Sequence, residues 1–165
     1  MRTANVHCYG DDINTDVILP GQYLNLFSPE DLRPHCMEGM DPEFASRVKT
    51  GDIIIGGKNF GTGSSREHAP IAIQACGVSC IIAVSFARIF YRNAINIGLP
   101  VFECSDLPAS IRTGDQIQAD LSAGRFLINS VSYQAKPYPR VIQDILESGG
   151  LVSYVKQKIT NQPQS

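Results

Sequence analysis

The chain has 165 residues, with 14 lysines and arginines against 16 aspartates and glutamates, and a formal net charge of −2. This length suits a single domain, residues 1–165, with a sizeable core, and the mildly acidic balance without a basic block disfavours nucleic acid and anionic membranes as partners. No segment approaches the roughly 20 apolar residues that span a bilayer, and the start has no apolar signal region, so we expect a cytoplasmic protein.

The predicted elements of the N-terminal part are short. Residues 4–9 alternate weakly between apolar and polar side chains, which predicts a first strand before the turn at residues 10–12. The polar stretch 28–49 contains Pro29, Pro34 and Pro42 and predicts short surface helices at Pro29–Leu32 and 41–48.

A regular alternation of strands and helices begins at residue 52. The predicted elements are a strand at 53–55, a helix from near Glu67 to Gly77, a strand at 78–84, a helix at 86–96 with Gly98 after its end, and a strand at 99–103. Continuous β-branched runs separated by short helices are typical of a parallel βαβαβ unit. The sequence therefore predicts an α/β fold.

The C-terminal part predicts a hairpin followed by a helix. Residues 116–119 and 126–131 flank the turn residues 122–124, which is a hairpin pattern. Residues 138–148 form an amphipathic pattern that two glycines, 149 and 150, would end, and the polar tail 160–165 is expected to fray.

The glycine-rich segment 57–68 predicts a binding loop. Gly61 and Gly63 permit positive φ, and successive main-chain N–H groups in such a turn can hold a carboxylate or phosphate. Ser64, Ser65 and Arg66 add two hydroxyls and a guanidinium suited to a carboxylate. The Walker A and G-x-G-x-x-G nucleotide motifs do not fit, so nucleotide binding is disfavoured.

A plain helix cap is the alternative interpretation of the same residues. Ser64 and Glu67 have the spacing of a capping box, in which both side chains only satisfy N–H groups at a helix start. Pro70 argues against this, because a helix capped by Ser64 would carry Pro70 in its interior at a cost of roughly 3 kcal/mol. We therefore predict a helix start near Glu67 and a separate loop before it.

Three segments carry a family resemblance: residues 57–69, 12–20 and 86–93. Together they resemble the small subunits of 3-isopropylmalate dehydratase, which are related to the swivelling domain of aconitase. The resemblance implies a swivelling-type β/β/α domain and a hydro-lyase activity in leucine biosynthesis. It also implies that Ser64 is the catalytic base and that Arg66 binds a substrate carboxylate.

The resemblance also assigns roles to residues around the loop. It implies that Asn14, Thr15 and Asp16 border the active site and orient Ser64 or Arg66, whereas their spacing alone is also that of an Asx-rich turn. Gly61 and Gly63 are expected to shape the loop. The substrate-binding candidates are Ser65, Arg66, Tyr23, Leu24, Asn25 and Leu26.

The segment 21–27 bears on the substrate. Relatives that act on tricarboxylic substrates carry an arginine here, whereas Leu26 and Phe27 in this chain suit an alkyl group. This favours isopropylmalate. Homoaconitate, 2,3-dimethylmalate and citramalate remain alternatives, as does a non-catalytic anion-binding module, and Leu26 and Phe27 could simply anchor the segment to the core.

Cysteine placement predicts that no metal is bound by this chain. The cysteines lie in apolar or mixed contexts without a C-x-x-C pair, at positions 8, 36, 76, 80 and 104. Aconitase-like chemistry uses a [4Fe–4S] cluster held by thiolates, so the resemblance implies that the cluster lies on a large subunit.

Arg88 and Arg92 could meet acidic groups of that subunit or simply form a solvated face.

Overall fold

The computed structural model describes residues 1–161. Its strands in the described part of the chain are β1 (Arg2–Cys8), β2 (Ile53–Gly56), β3 (Cys80–Ala83), β4 (Val101–Glu103), β5 (Gln116–Asp120), β6 (Arg125–Ile128) and β7 (Val131–Gln134). Its α-helices there are α1 (Thr15–Ile18), α2 (Pro29–Leu32), α3 (Phe44–Arg47), α4 (His68–Ala75), α5 (Arg88–Asn96), α6 (Arg140–Glu147) and α7 (Leu151–Thr160). Short 3₁₀ helices occupy Gly21–Tyr23 and Arg33–His35.

The described strands form one mixed sheet in the order β4-β3-β2-β1-β5-β6-β7. The pairs from β4 to β1 are parallel, and those from β1 to β7 are antiparallel. The predicted βαβαβ unit is confirmed as β2-α4-β3-α5-β4, and the predicted α/β class is correct. Parallel neighbours place the carboxyl ends of β1, β2 and β3 at one edge, which is where ligands usually bind in open α/β sheets.

The two faces of the sheet bury separate apolar cores. On β2, Ile54 belongs to the core beneath the helices, whereas Ile53 and Ile55 belong to the core on the opposite face. Successive strand residues point to opposite faces, so a strand buried on both sides needs a continuous apolar run. This explains the three consecutive isoleucines.

The C-terminal hairpin has a strand that the sequence did not predict. We expected one strand across residues 126–131, but β6 ends at Ile128 and the chain reverses into β7. Asn129 and Ser130 both have positive φ, 49° and 67°, as in the tight turns that join twisted antiparallel strands. Asn-Ser signals such a turn less strongly than Asn-Gly, and β7 has only one partly buried residue, so its apolar alternation is weak.

The glycine pair ends one helix and begins another. Gly149 and Gly150 have φ of 85° and 125°, and the N–H of Gly150 donates to the Ile145 carbonyl at 2.9 Å. A Cβ on Gly150 would lie 2.7 Å from the Asn96 carbonyl oxygen, so only glycine fits between α6 and α7. The tail predicted at 160–165 begins at Thr160, the last residue of α7, and residues 162–165 lie outside the described residues.

The helix expected at 41–48 is shorter in the structure. It is a single turn, α3, with Glu43 as its N-cap residue and Val48 as its C-cap residue. Asp41 lies in the turn before it, where its carbonyl accepts from the Phe44 N–H at 3.0 Å. No helix within residues 1–161 is long and apolar enough to span a membrane.

Candidate functional site

The glycine-rich segment forms a loop between β2 and α4 at the carboxyl edge of the parallel strands. The N–H of Gly57 donates to the Gly10 carbonyl at 3.0 Å, that of Gly61 to the Ile13 carbonyl at 2.7 Å, and that of Phe60 to the Ser85 carbonyl at 3.0 Å. The loop is thus hydrogen-bonded to the segments that follow β1 and β3. Such bonding to flanking segments fixes a glycine-rich chain that would otherwise be mobile.

Two glycines of the loop are required by its geometry. Gly61 has φ of 83°, and a Cβ there would lie 2.1 Å from Cγ of Phe90. Gly63 has φ of 109°, and a Cβ there would lie 3.0 Å from Oγ1 of Thr15. Both positions therefore combine a backbone conformation that favours glycine with the close approach of a neighbouring side chain.

Ser64 lies partly exposed at the end of this tight turn. Its N–H donates to Oγ1 of Thr15 at 2.9 Å, and its Oγ accepts from the N–H of Arg66 at 3.2 Å. The Ser64 N–H is therefore already used within the protein. Ser64 does not cap α4, which begins at His68 after Glu67 in the N-cap position, so the helix start is as the sequence predicted.

The segment 14–16 supports the loop from one side. Oδ1 of Asn14 accepts from the N–H groups of Asp16 at 2.9 Å and Val17 at 3.0 Å, which caps α1. Thr15 is buried, and besides contacting Ser64 it donates its own N–H to the Thr62 carbonyl at 2.8 Å. Of the three residues in the segment, Thr15 has the direct contact with the serine.

A small cavity of about 10 Å³ brings several predicted residues together. Its lining comprises Thr15, Asp16, Leu19, Leu24, Ser64, Arg66, His68 and Ala69. His68 was not predicted as a site residue, although it lies only two positions after Arg66. Its ring nitrogen Nδ1 is buried without a hydrogen-bond partner in the described part of the chain.

The predicted substrate-binding segment 23–26 is divided between two environments. The Tyr23 hydroxyl donates to Oε1 of Glu38 at 2.8 Å, a bond that raises the pKa of the phenol, and its ring stacks on His35 at 3.6 Å. Leu24 faces the cavity with Ser64, and Leu26 packs against the core. Asn25 is exposed, so only Leu24 lies directly beside the serine loop.

A second, open groove lies on the other side of Ser64. Its volume is about 670 Å³, and its lining comprises Gly61, Thr62, Gly63, Ser64, Ala87, Arg88, Ile89 and Arg92. Both guanidinium groups are exposed, and Ile89 is 40% exposed. The i, i+4 spacing of Arg88 and Arg92 predicted a common helix face, but only the fold shows that this face borders the serine.

Known proteins match this chain over most of its length. The Aconitase C-terminal domain family matches residues 11–106. The 3-isopropylmalate dehydratase small subunit of Halothermothrix orenii is 55% identical over 150 residues, which are 90% of this chain and 91% of that protein. The corresponding small subunit of Caldicellulosiruptor saccharolyticus is 54% identical over 94% of this chain and 91% of that protein. The chain belongs to the 3-isopropylmalate dehydratase small-subunit family.

A solved structure of this family has the same fold. The crystal structure of 3-isopropylmalate dehydratase from Methanocaldococcus jannaschii superposes with a TM-score of 0.90 at 43% identity, over 96% of this chain and 95% of that chain. The family resemblance of the three sequence motifs is thereby confirmed. The small-subunit names of the relatives imply a large-subunit partner.

The cysteines of this dehydratase-family chain are dispersed through the described residues 1–161. Within residues 1–161, no group of three or more histidine, cysteine, aspartate or glutamate side chains is placed to hold a metal ion. Burial raises the pKa of the Cys80 thiol strongly, and burial and the Asp115 charge raise the pKa of Cys8 to about 11.

Proposed function

We propose that this chain is the small subunit of a hydro-lyase that interconverts 2-isopropylmalate and 3-isopropylmalate by dehydration and rehydration, a step of leucine biosynthesis. The observation that carries the proposal is the placement of Ser64 and Arg66. Both lie on a hydrogen-bonded glycine loop at the carboxyl edge of the sheet, in a chain of the dehydratase small-subunit family.

Ser64 is proposed as the base that removes the proton next to a substrate carboxylate. A serine hydroxyl is a weak base until its anion is stabilised. The N–H of Arg66 donates to Ser64 Oγ and would favour the negatively charged oxygen. The N–H of Ser64 already donates to Thr15, so the main-chain donor to Ser64 Oγ is the N–H of Arg66. The guanidinium of Arg66 adds a nearby positive charge.

Arg66 is proposed to hold the substrate carboxylate beside the acidic carbon. Its guanidinium is exposed and makes no ion pair or hydrogen bond to any of residues 1–161, so its planar set of donors is available. An arginine fork binds a carboxylate through two parallel hydrogen bonds, which fixes orientation as well as position. Arg66 therefore suits both substrate binding and alignment of the carbon for Ser64.

The proposed partner is a large subunit that carries a [4Fe–4S] cluster. When bound there, the cluster would supply the Lewis acid that binds the departing hydroxyl oxygen. The proposed base lies on this chain, so the large subunit must approach the surface around Ser64. We place Arg88, Ile89 and Arg92 at this contact, where the two exposed guanidinium groups would meet acidic side chains of the large subunit.

The segment 23–26 is proposed to select the substituent of the substrate. Leu24 lies beside Ser64 and Arg66, and the segment carries no cation that could neutralise a third carboxylate. An isopropyl group fits this apolar neighbour better than a carboxylate does. The second candidates are the tricarboxylate homoaconitate and a branched malate such as 2,3-dimethylmalate or citramalate. Leu24→Arg, which adds a cation beside Ser64 and Arg66, should shift relative kcat/KM toward tricarboxylic substrates by roughly 1–3 kcal/mol, whereas Gln22→Arg, a nearby exposed control, should not.

Reconstitution with the large subunit tests the proposed function. We expect no isopropylmalate isomerisation by the purified chain, and turnover when the chain is mixed with an anaerobically prepared large dehydratase subunit. Iron and sulfide should not yield a stable cluster on the isolated chain, as judged by absorption spectroscopy. A complex that forms without any dehydratase activity would instead support the non-catalytic anion-binding module.

A further inference from the structure

A buried asparagine on α5 contacts the serine loop. Asn93 is 9% exposed, and its neighbours Phe90, Ala94 and Ile95 on the same helix are buried and apolar. Nδ2 of Asn93 donates to the carbonyl oxygen of Ser65 at 2.9 Å. A buried amide is unfavourable unless it is hydrogen-bonded, so this contact explains why the side chain is tolerated in an apolar interface.

The contact fixes the peptide plane that serves Ser64. The carbonyl of Ser65 and the N–H of Arg66 belong to one peptide unit, which is planar, so the two groups cannot turn independently. Asn93 holds the carbonyl end, and the N–H end donates to Ser64 Oγ at 3.2 Å. The orientation of the donor at Ser64 is therefore set by a side chain on α5.

Ser64 is thus held from two elements that are distant in sequence. Oγ1 of Thr15 on α1 accepts from the N–H of Ser64, and Nδ2 of Asn93 on α5 donates to the carbonyl of the Ser65–Arg66 peptide. Gly63, with φ of 109°, would otherwise leave the short segment 63–66 free to rotate. Removing either hydrogen bond would leave the Ser64 side chain poorly oriented.

We infer that Asn93 is a positioning residue for the proposed reaction: through the Ser65–Arg66 peptide, it keeps a hydrogen-bond donor aimed at the oxygen of Ser64. The inference rests on the proposed role of Ser64 as the base. Asn93 itself touches neither the groove nor the small cavity described above. Its loss should lower the rate of proton removal more than it weakens substrate binding.

Kinetics of the reconstituted two-subunit enzyme test this role. Asn93→Ala and the shape-matched Asn93→Asp, which loses the N–H donor, should each lower kcat by about 10-fold to 100-fold while KM changes by less than about 3-fold. Asn96→Ala is the control on the same helix and should leave kcat unchanged. Size-exclusion chromatography should show that every variant still forms the complex.

A double-variant cycle separates positioning from general damage. In the Ser64→Ala background, Asn93→Ala should change the residual kcat by less than about 2-fold, because the group that it positions is already absent. The inference would be overturned if the fold-losses in kcat of Ser64→Ala and Asn93→Ala multiplied in the double variant. It would also be overturned if Asn93→Ala lost no more kcat than Asn96→Ala. A Ser64→Ala enzyme with normal kcat would instead contradict the proposed base, and Asn93→Asp alone decides the case if Asn93→Ala does not fold.

Discussion

Replacing Gly61 by alanine tests whether the serine loop needs this glycine for space as well as for backbone freedom. The new methyl group would lie 2.1 Å from Cγ and 2.5 Å from Cβ of Phe90. Phe90 is 2% exposed and packs edge-on against Phe60 at 5.4 Å, so it cannot turn away without disturbing the core. The substitution should therefore destabilise the fold at the loop itself.

The expected loss of stability has two parts. A non-glycine residue at φ of 83° costs about 1–3 kcal/mol, and forcing a methyl group into a filled core costs about 1–3 kcal/mol more. Gly61→Ala should thus lower the free energy of unfolding by about 2–6 kcal/mol. Gly114→Ala is the matched control, because Gly114 has φ of 97° but no atom within 4 Å of the position that a Cβ would take, and it should lose only the backbone part.

Urea unfolding of the wild type and the two variants, followed by circular dichroism, gives the comparison. We expect Gly61→Ala to lose clearly more free energy of unfolding than Gly114→Ala, without a change in the dependence on urea concentration. Equal losses from the two substitutions would show that the contact with Phe90 contributes nothing, and the steric explanation would then be wrong.

Two further substitutions test interactions away from the loop. Tyr138→Phe should lower the free energy of unfolding by about 1–3 kcal/mol in urea titrations, because the hydroxyl donates to the carbonyl of buried Val101 at 2.6 Å and accepts from its N–H at 3.0 Å. Burial raises the pKa of Asp52, but hydrogen bonds from His7 and the Lys49 N–H outweigh it and hold that pKa below its ordinary 3.8. A carboxyl group whose pKa is lower in the folded than in the unfolded chain stabilises the fold at pH values above the unfolded pKa, and this stability is lost as the pH falls through the folded pKa. Below about pH 4, the melting temperature of Asp52→Asn should therefore fall less steeply with pH than that of the wild type.

The central part of the fold could be predicted from the sequence because local signals agree there. The isoleucine run of β2, the glycine loop and the two helices of the βαβαβ unit each carry a strong pattern that the structure confirms. Turn chemistry was harder to predict. The Asn129-Ser130 reversal and the helix that begins at Leu151 depend on backbone angles and on the close approach of Gly150 to α5.

The candidate site was only partly accessible to sequence reasoning. Ser64 and Arg66 carry a recognisable motif, and their spacing from Pro70 located the start of α4. Asn93 has no local signal, because a polar residue in an amphipathic helix gives no indication that it contacts a loop 28 positions away. Tyr23 was predicted as a site residue only because it belongs to the segment 23–26, but in the structure its hydroxyl donates to Glu38.

The role of Ser64 as the base is tested most directly by comparing Ser64→Ala with Ser65→Ala in the reconstituted two-subunit enzyme. Both serines are on the same loop, but only Ser64 has a hydroxyl bonded to the Arg66 N–H. We expect Ser64→Ala to lower the kcat of isopropylmalate isomerisation by at least about 100-fold and Ser65→Ala to have a much smaller effect, with complex formation unchanged in both. Small and equal effects of the two substitutions would contradict the assignment of Ser64 as the base.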